Sequence, residues 1–160
     1  MKKILGIVFV FIIGVIAAAC SNHTIKTEDV EKFVKEYKAE QYNLTDSTKP
    51  PSEIEIGNKV KKYLSKGAFD KLNANRVFQI APNFVMSTNK TIELEDVILE
   101  KEEENDDGTI DYKYTLKLKI SDEQSSKVIE KNGQLTVLKD GDIKITRDWE
   151  NKVLIEGVPI

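Results

Sequence analysis

The chain has 160 residues, with 24 basic and 27 acidic side chains, a formal net charge of −3, one cysteine and one histidine. That length suits one domain with a real core. The mildly acidic balance argues against a nucleic-acid partner, which calls for a basic face, and against electrostatic docking on anionic lipid. The lone Cys20 excludes an intramolecular disulfide.

Residues 1–20 carry an address. Lys2 and Lys3 open the chain, 4–19 run without a charge, and Ala17-Ala18-Ala19 stand directly before Cys20. A positive start, an apolar stretch and small residues at a cleavage point constitute a secretory signal peptide. The uncharged run is shorter than the roughly 20 residues a spanning helix needs. The small-residue run ending in cysteine resembles the lipobox of bacterial lipoproteins, although Ala17 stands where leucine is commoner. The resemblance implies loss of 1–19, acyl chains such as palmitate on Cys20, and a cell-membrane location on the extracytoplasmic face. Two acyl chains anchor stably where one is marginal. Removing Lys2 and Lys3 leaves a mature chain two units more acidic.

Residues 20–26 read as a polar tether, and 27–160 as a single domain. His23 lies in the tether with no scaffold to orient it. Ser–His–Asp, Cys–His and His-based zinc sites are therefore excluded from the domain. Residues 27–41 read as a helix with Thr27 as its N-cap and Glu28, Asp29 and Glu31 at its positive end. Val30, Phe33, Val34 and Tyr37 form one apolar stripe, with Lys32, Lys35 and Lys38 on the other side. The prolines at 50 and 51 end a connection. Ser52 and Glu55 then make a capping box for a second helix with Ile56, Val60, Tyr63 and Leu64 on its apolar face. Ser65 caps a third short helix, with Phe69 and Leu72 inward. Residues 79–87, around Pro82, fit a helical turn or extended chain equally.

From Lys90 the period changes to two. Ile92 and Leu94 alternate, then Val97 and Leu99 continue on the opposite parity, which predicts a β-bulge at Glu95-Asp96. Ile110, Tyr112, Tyr114, Leu116, Leu118 and Ile120 alternate strictly and mark the clearest strand. A third strand spans about 127–138, with Leu135 and Val137 inward and a bulge expected at Gly133. Asp140-Gly141 predicts a tight hairpin. A fourth strand puts Ile143, Ile145, Arg147 and Trp149 on one face, and 153–155 add a short strand or tail.

Helices followed by an antiparallel meander give an α+β class. A long helix, two short helices and a bent four-strand meander resemble the NTF2-like fold, which implies N-terminal helices packed on a curved, cone-shaped sheet. A cystatin-like sheet wrapped on one helix is the rival. The acidic run 102–108 partly mimics a calcium loop but places Tyr114 where a bidentate Glu is required, and it reads as a solvated hairpin. Arg147, with Tyr112, Tyr114 and Trp149, is the candidate pocket lining, because a charge on an apolar face needs a partner. No catalytic set, metal site or cofactor site emerges.

The reading is a membrane-anchored, extracytoplasmic lipoprotein acting as a non-enzymatic binding module for a cell-surface protein. One alternative is a small-molecule enzyme, as in some NTF2-like isomerases, pairing Tyr112 or Tyr114 with Asp148 or Glu95. Another is an accessory lipoprotein of the cell envelope or of a mobile element.

Overall fold

A computed structural model describes residues 26–138 and 142–160. The expected signal peptide, Cys20 and the hairpin expected at Asp140-Gly141 lie outside the described residues. Helix α1 spans Thr27–Tyr42. Its N-cap is Lys26, not Thr27, with no side-chain cap; Glu28 and Asp29 in the first turn complement the helix dipole instead. Helix α2, Glu53–Val60, starts on the expected Ser52–Glu55 capping box and runs into a 3₁₀ turn at Lys61–Tyr63. Helix α3, Lys66–Ala74, is capped by the Ser65 hydroxyl.

The ambiguous stretch is helix α4, Val77–Thr88, with Pro82 inside it. Arg76 and Asn89, both left-handed at φ near 55°, bracket it. Phe78, Ala81, Phe84 and Val85 give α4 a buried stripe, and Pro82 is buried with them. Tertiary burial thus outweighs the hydrogen bond that proline removes. Among the described residues no helix is long and apolar enough to cross a membrane.

Strands β1 (Thr91–Glu104), β2 (Thr109–Ser121), β3 (Ser126–Leu138) and β4 (Lys144–Glu150) form an antiparallel sheet in sequence order. All six alternating apolar residues of β2 are buried. The predicted slip in β1 is present as a register shift between Leu94 and Asp96. The acidic run closes as a hairpin: Asn105 N–H donates to the Thr109 carbonyl at 2.9 Å, and Asp107 accepts from the Thr109 N–H. Strands β5 (Leu154–Ile155) and β6 (Val158–Pro159) make a small hairpin through Glu156 and Gly157, both at positive φ, as a primed turn requires. Ile160 then tucks into the core.

The expected cone is overturned. The sheet is open, with β1 and β4 at its two edges, and it neither curls nor closes into a cone. Helices followed by a four-strand meander are present; the curvature is not. Bulges bend single strands, whereas a cone needs the bends to accumulate across neighbours. The core lies between the helices and the inner sheet face, where Val34, Ile56, Phe78, Phe84, Ile92, Leu116 and Leu135 are fully buried.

Candidate functional site

The site begins with a bulge that the sequence pattern hides. Val137 pairs with Ile145 but Thr136 pairs with Arg147, so Thr146 is an extra residue in β4. An extra residue reverses the parity of everything after it. Arg147 and Trp149, expected inward, point out: the Arg147 side chain is 55% exposed and Trp149 is 56% exposed. Arg147 reaches Asp111 at 3.4 Å and the Thr136 hydroxyl at 3.1 Å. Asp148 and Glu150 turn inward instead.

Two acids on a core face need compensation. It comes from α1, where Lys38 follows Val30 and Val34 at i+4 steps on the buried face. Lys38 was expected among the solvated lysines; its side chain is 0% exposed. Its Nζ lies 2.6 Å from Asp148 Oδ2 and also bonds Glu150 Oε1. Lys131 of β3, 3% exposed, reaches Glu150 Oε2 at 2.9 Å. Three phenols complete the shell. Tyr37 donates to Asp148 Oδ2 at 2.8 Å, Tyr114 to Asp148 Oδ1 at 2.7 Å, and Tyr42 to Glu150 Oε2. Lys38 Nζ also sits 4.7 Å and 4.8 Å from the ring centres of Tyr37 and Tyr114. Two cations, two anions and three phenols therefore form one neutral buried network.

Gly133 makes this possible. Tyr114, Gly133 and Glu150 lie in one row across β2, β3 and β4. Tyr114 must pass over β3 to reach the acids of β4. A Cβ at Gly133 would stand 2.5 Å from Tyr114 Oη and 2.6 Å from the Trp149 carbonyl. The expected bulge at Gly133 is absent, and pairing through it is continuous. The glycine is there for space.

Burial opposes ionisation of Glu150, but Lys38 and Lys131 outweigh it and hold the carboxyl down at about 2. Burial likewise opposes the charge on Lys38, and Asp148 and Glu150 outweigh it and raise the amine. Burial first, then the neighbouring acids, pushes Tyr37, Tyr42 and Tyr114 well above the ordinary phenol range. Acid–base catalysis wants a group poised near the working pH. Here the carboxyl and phenols are driven away from neutrality in opposite directions, so the network holds protons in place.

A pH dependence follows. The Glu150 pKa is depressed from 4.5 in the folded state, so its stabilisation is complete above that value and is lost as pH falls through about 2. Denaturant midpoints of the native chain should fall in that window. Glu150→Gln should be less stable at neutral pH and show a flatter acid limb. Parallel acid limbs in the two proteins would contradict this.

The network backs onto a cavity of about 790 Å³ between the β4 edge, α3, α4 and the chain's last residues. Leu72, Ile80 and Ile160 give it apolar walls; Lys71 and Lys152 give it cations. Lys131, Asp148 and Glu150 also reach it. Its size falls in the roughly 300–1,000 Å³ range of ligand sites. Of the predicted pocket residues, Arg147 and Trp149 line it, while Tyr112 and Tyr114 are buried in the core. Glu95 is exposed on β1. Among the described residues no three acidic, His or Cys side chains converge to hold a metal ion.

No protein-family model matches the chain, and no curated protein matches it. Solved structures do. An IcmL-like type IV secretion system protein from Legionella pneumophila is 9% identical over 85% of this chain and 94% of its own, at a TM-score of 0.57. The periplasmic domain of DotI is 8% identical over 81% and 98%, at 0.53. TraH from the Gram-positive conjugative plasmid pIP501 is 17% identical over 81% and 96%, at 0.51. At these identities the likeness is one of fold.

Proposed function

We propose that this protein is a membrane-tethered, extracytoplasmic, non-enzymatic interaction module of a macromolecular transfer or secretion apparatus. The observation that carries the reading is the fold. It is shared along nearly the whole length of three proteins described by a conjugative plasmid, a type IV secretion system and a periplasmic domain. The fully compensated buried network supports a scaffold rather than an enzyme. Tyr114 and Asp148 do meet, at 2.7 Å, as the enzyme alternative requires. Lys38 bonds the same carboxylate, which leaves it committed to structure.

The tether is assigned to a lipid on Cys20, from the signal peptide and the lipobox resemblance. Cys20→Ser should leave unprocessed precursor or release soluble protein, read by fractionation and by labelling with an alkyne fatty acid. Unchanged membrane retention would remove the anchor from the account. Photo-cross-linking in living cells tests the module itself. Probes spread over the exposed faces should capture an envelope protein from at least one position. Capture from none would contradict the reading.

A further inference from the structure

β4 is an edge strand, and half of that edge is uncovered. Along its outer side, the Ser65 N–H donates to the Ile145 carbonyl at 2.9 Å and Leu64 bridges Ile145, after which α3 leads the chain away. On the inner side, the Asn151 N–H donates to the Asn132 carbonyl at 2.8 Å. Backbone groups alternate along a strand, so those of Asp148 and Glu150 face outward, away from β3. No described segment pairs with them. The uncovered stretch opens directly on the cavity lined by Leu72, Ile80 and Ile160.

Natural sheets protect an edge with bulges and inward charges, and β4 has both. They do not fill the apolar space beside it. The charges around that space are uneven. Asp148 and Glu150 are neutralised from within by Lys38 and Lys131. Lys71 and Lys152, exposed at the cavity wall, have no ion-pair partner among the described residues. The rim is thus locally positive on a chain that is acidic as a whole.

We propose that the cavity beside β4 is a docking groove for an extended, acidic–aliphatic peptide segment of a partner protein, added to the free edge of Arg147–Glu150 as a fifth strand. The inference deepens the interaction-module reading and rests on it. Main-chain bonds to Asp148 and Glu150 supply affinity, and alternate aliphatic side chains enter the cavity. Acidic side chains meet Lys71 and Lys152, which selects against basic segments.

The test uses the full chain in lipid nanodiscs, with Trp149, the only tryptophan, as reporter. The probe is a blocked synthetic peptide of about seven residues, alternating Val and Glu, long enough for strand addition. Its two controls are a Val–Lys analogue and a copy N-methylated at alternate residues. The Val–Glu peptide should shift Trp149 fluorescence saturably and slow hydrogen exchange at the amides of Asp148 and Glu150. The Val–Lys analogue should bind at least about tenfold more weakly, and the N-methylated copy should lose binding. Lys71→Glu with Lys152→Glu, both at exposed positions, should invert the preference.

A flat fluorescence response, equal binding of the lysine analogue, or protection at β1 instead of β4 would overturn the proposal. Photoprobes separate it from the reading beneath it. If probes at Asn75 and Asn151 capture nothing while one at Lys113 captures an envelope protein, the groove falls and the interaction module stands. If none captures a partner, both fall.

Discussion

Lys38→Met should be among the most damaging single changes in the chain. It leaves the Asp148 and Glu150 carboxylates, 2% and 10% exposed, with one cation between them. Breaking a buried ion pair from one side costs about 3–5 kcal/mol. Total stability of such a domain is only about 5–15 kcal/mol. The urea midpoint should therefore drop steeply or the cooperative transition vanish. Two comparisons give the result its meaning. Lys35→Met removes an exposed pair with Asp96 and should cost no more than about 1 kcal/mol. Adding Asp148→Asn to Lys38→Met should recover much of the loss, because Glu150 keeps its pair with Lys131 and the penalty comes from an uncompensated charge. A Lys38→Met variant as stable as Lys35→Met would mean that the network is not buried as described.

Gly133→Ala is the second large effect, and its sign is the informative part. In a strand, exchanging Gly for Ala ordinarily gains about 0.5–1 kcal/mol by restricting the unfolded chain. At Gly133 the new methyl meets the Tyr114 hydroxyl and the Trp149 carbonyl inside van der Waals distance. Overpacking of that kind costs about 1–3 kcal/mol, so the change should destabilise. Tyr114→Leu removes one of the two obstacles. A double-mutant cycle should then show a smaller Gly133→Ala cost in the Tyr114→Leu background, with a remainder from the Trp149 carbonyl. Additive effects would show that Tyr114 does not occupy the space above Gly133.

These predictions concern residues whose roles the sequence conceals. Where local signals act alone, they were readable: the Ser52–Glu55 capping box, the alternation from Ile110 to Ile120 and the parity slip around Glu95. The site depends on signals that mislead. Thr146 has nothing of a bulge residue about it, and Trp149 continues the apolar parity of Ile143 and Ile145, so the reversal is masked. With parity read straight through, Arg147 looked buried and Asp148 looked solvated, the opposite of the structure. Lys38 sits at i+4 from Val34, a legible position, but lysine is almost never fully buried unless paired. Its partners lie more than a hundred residues away. The three tyrosines read as core aromatics, which they are; only the inward acids explain where their hydroxyls point. The cone failed for a different reason. Curvature belongs to the whole sheet, and one bulge in β1 does not report it.

Glu150, held ionised by Lys38 and Lys131, anchors a structural network and leaves the chain's activity to its surfaces. A carbon-13 NMR titration of the Glu150 carboxyl tests it most directly. The Glu150 carboxylate should stay ionised throughout the neutral range and titrate only near pH 2. A midpoint close to neutrality would instead describe a carboxyl poised beside Tyr114 to exchange protons, and would restore the enzyme reading at the expense of this one.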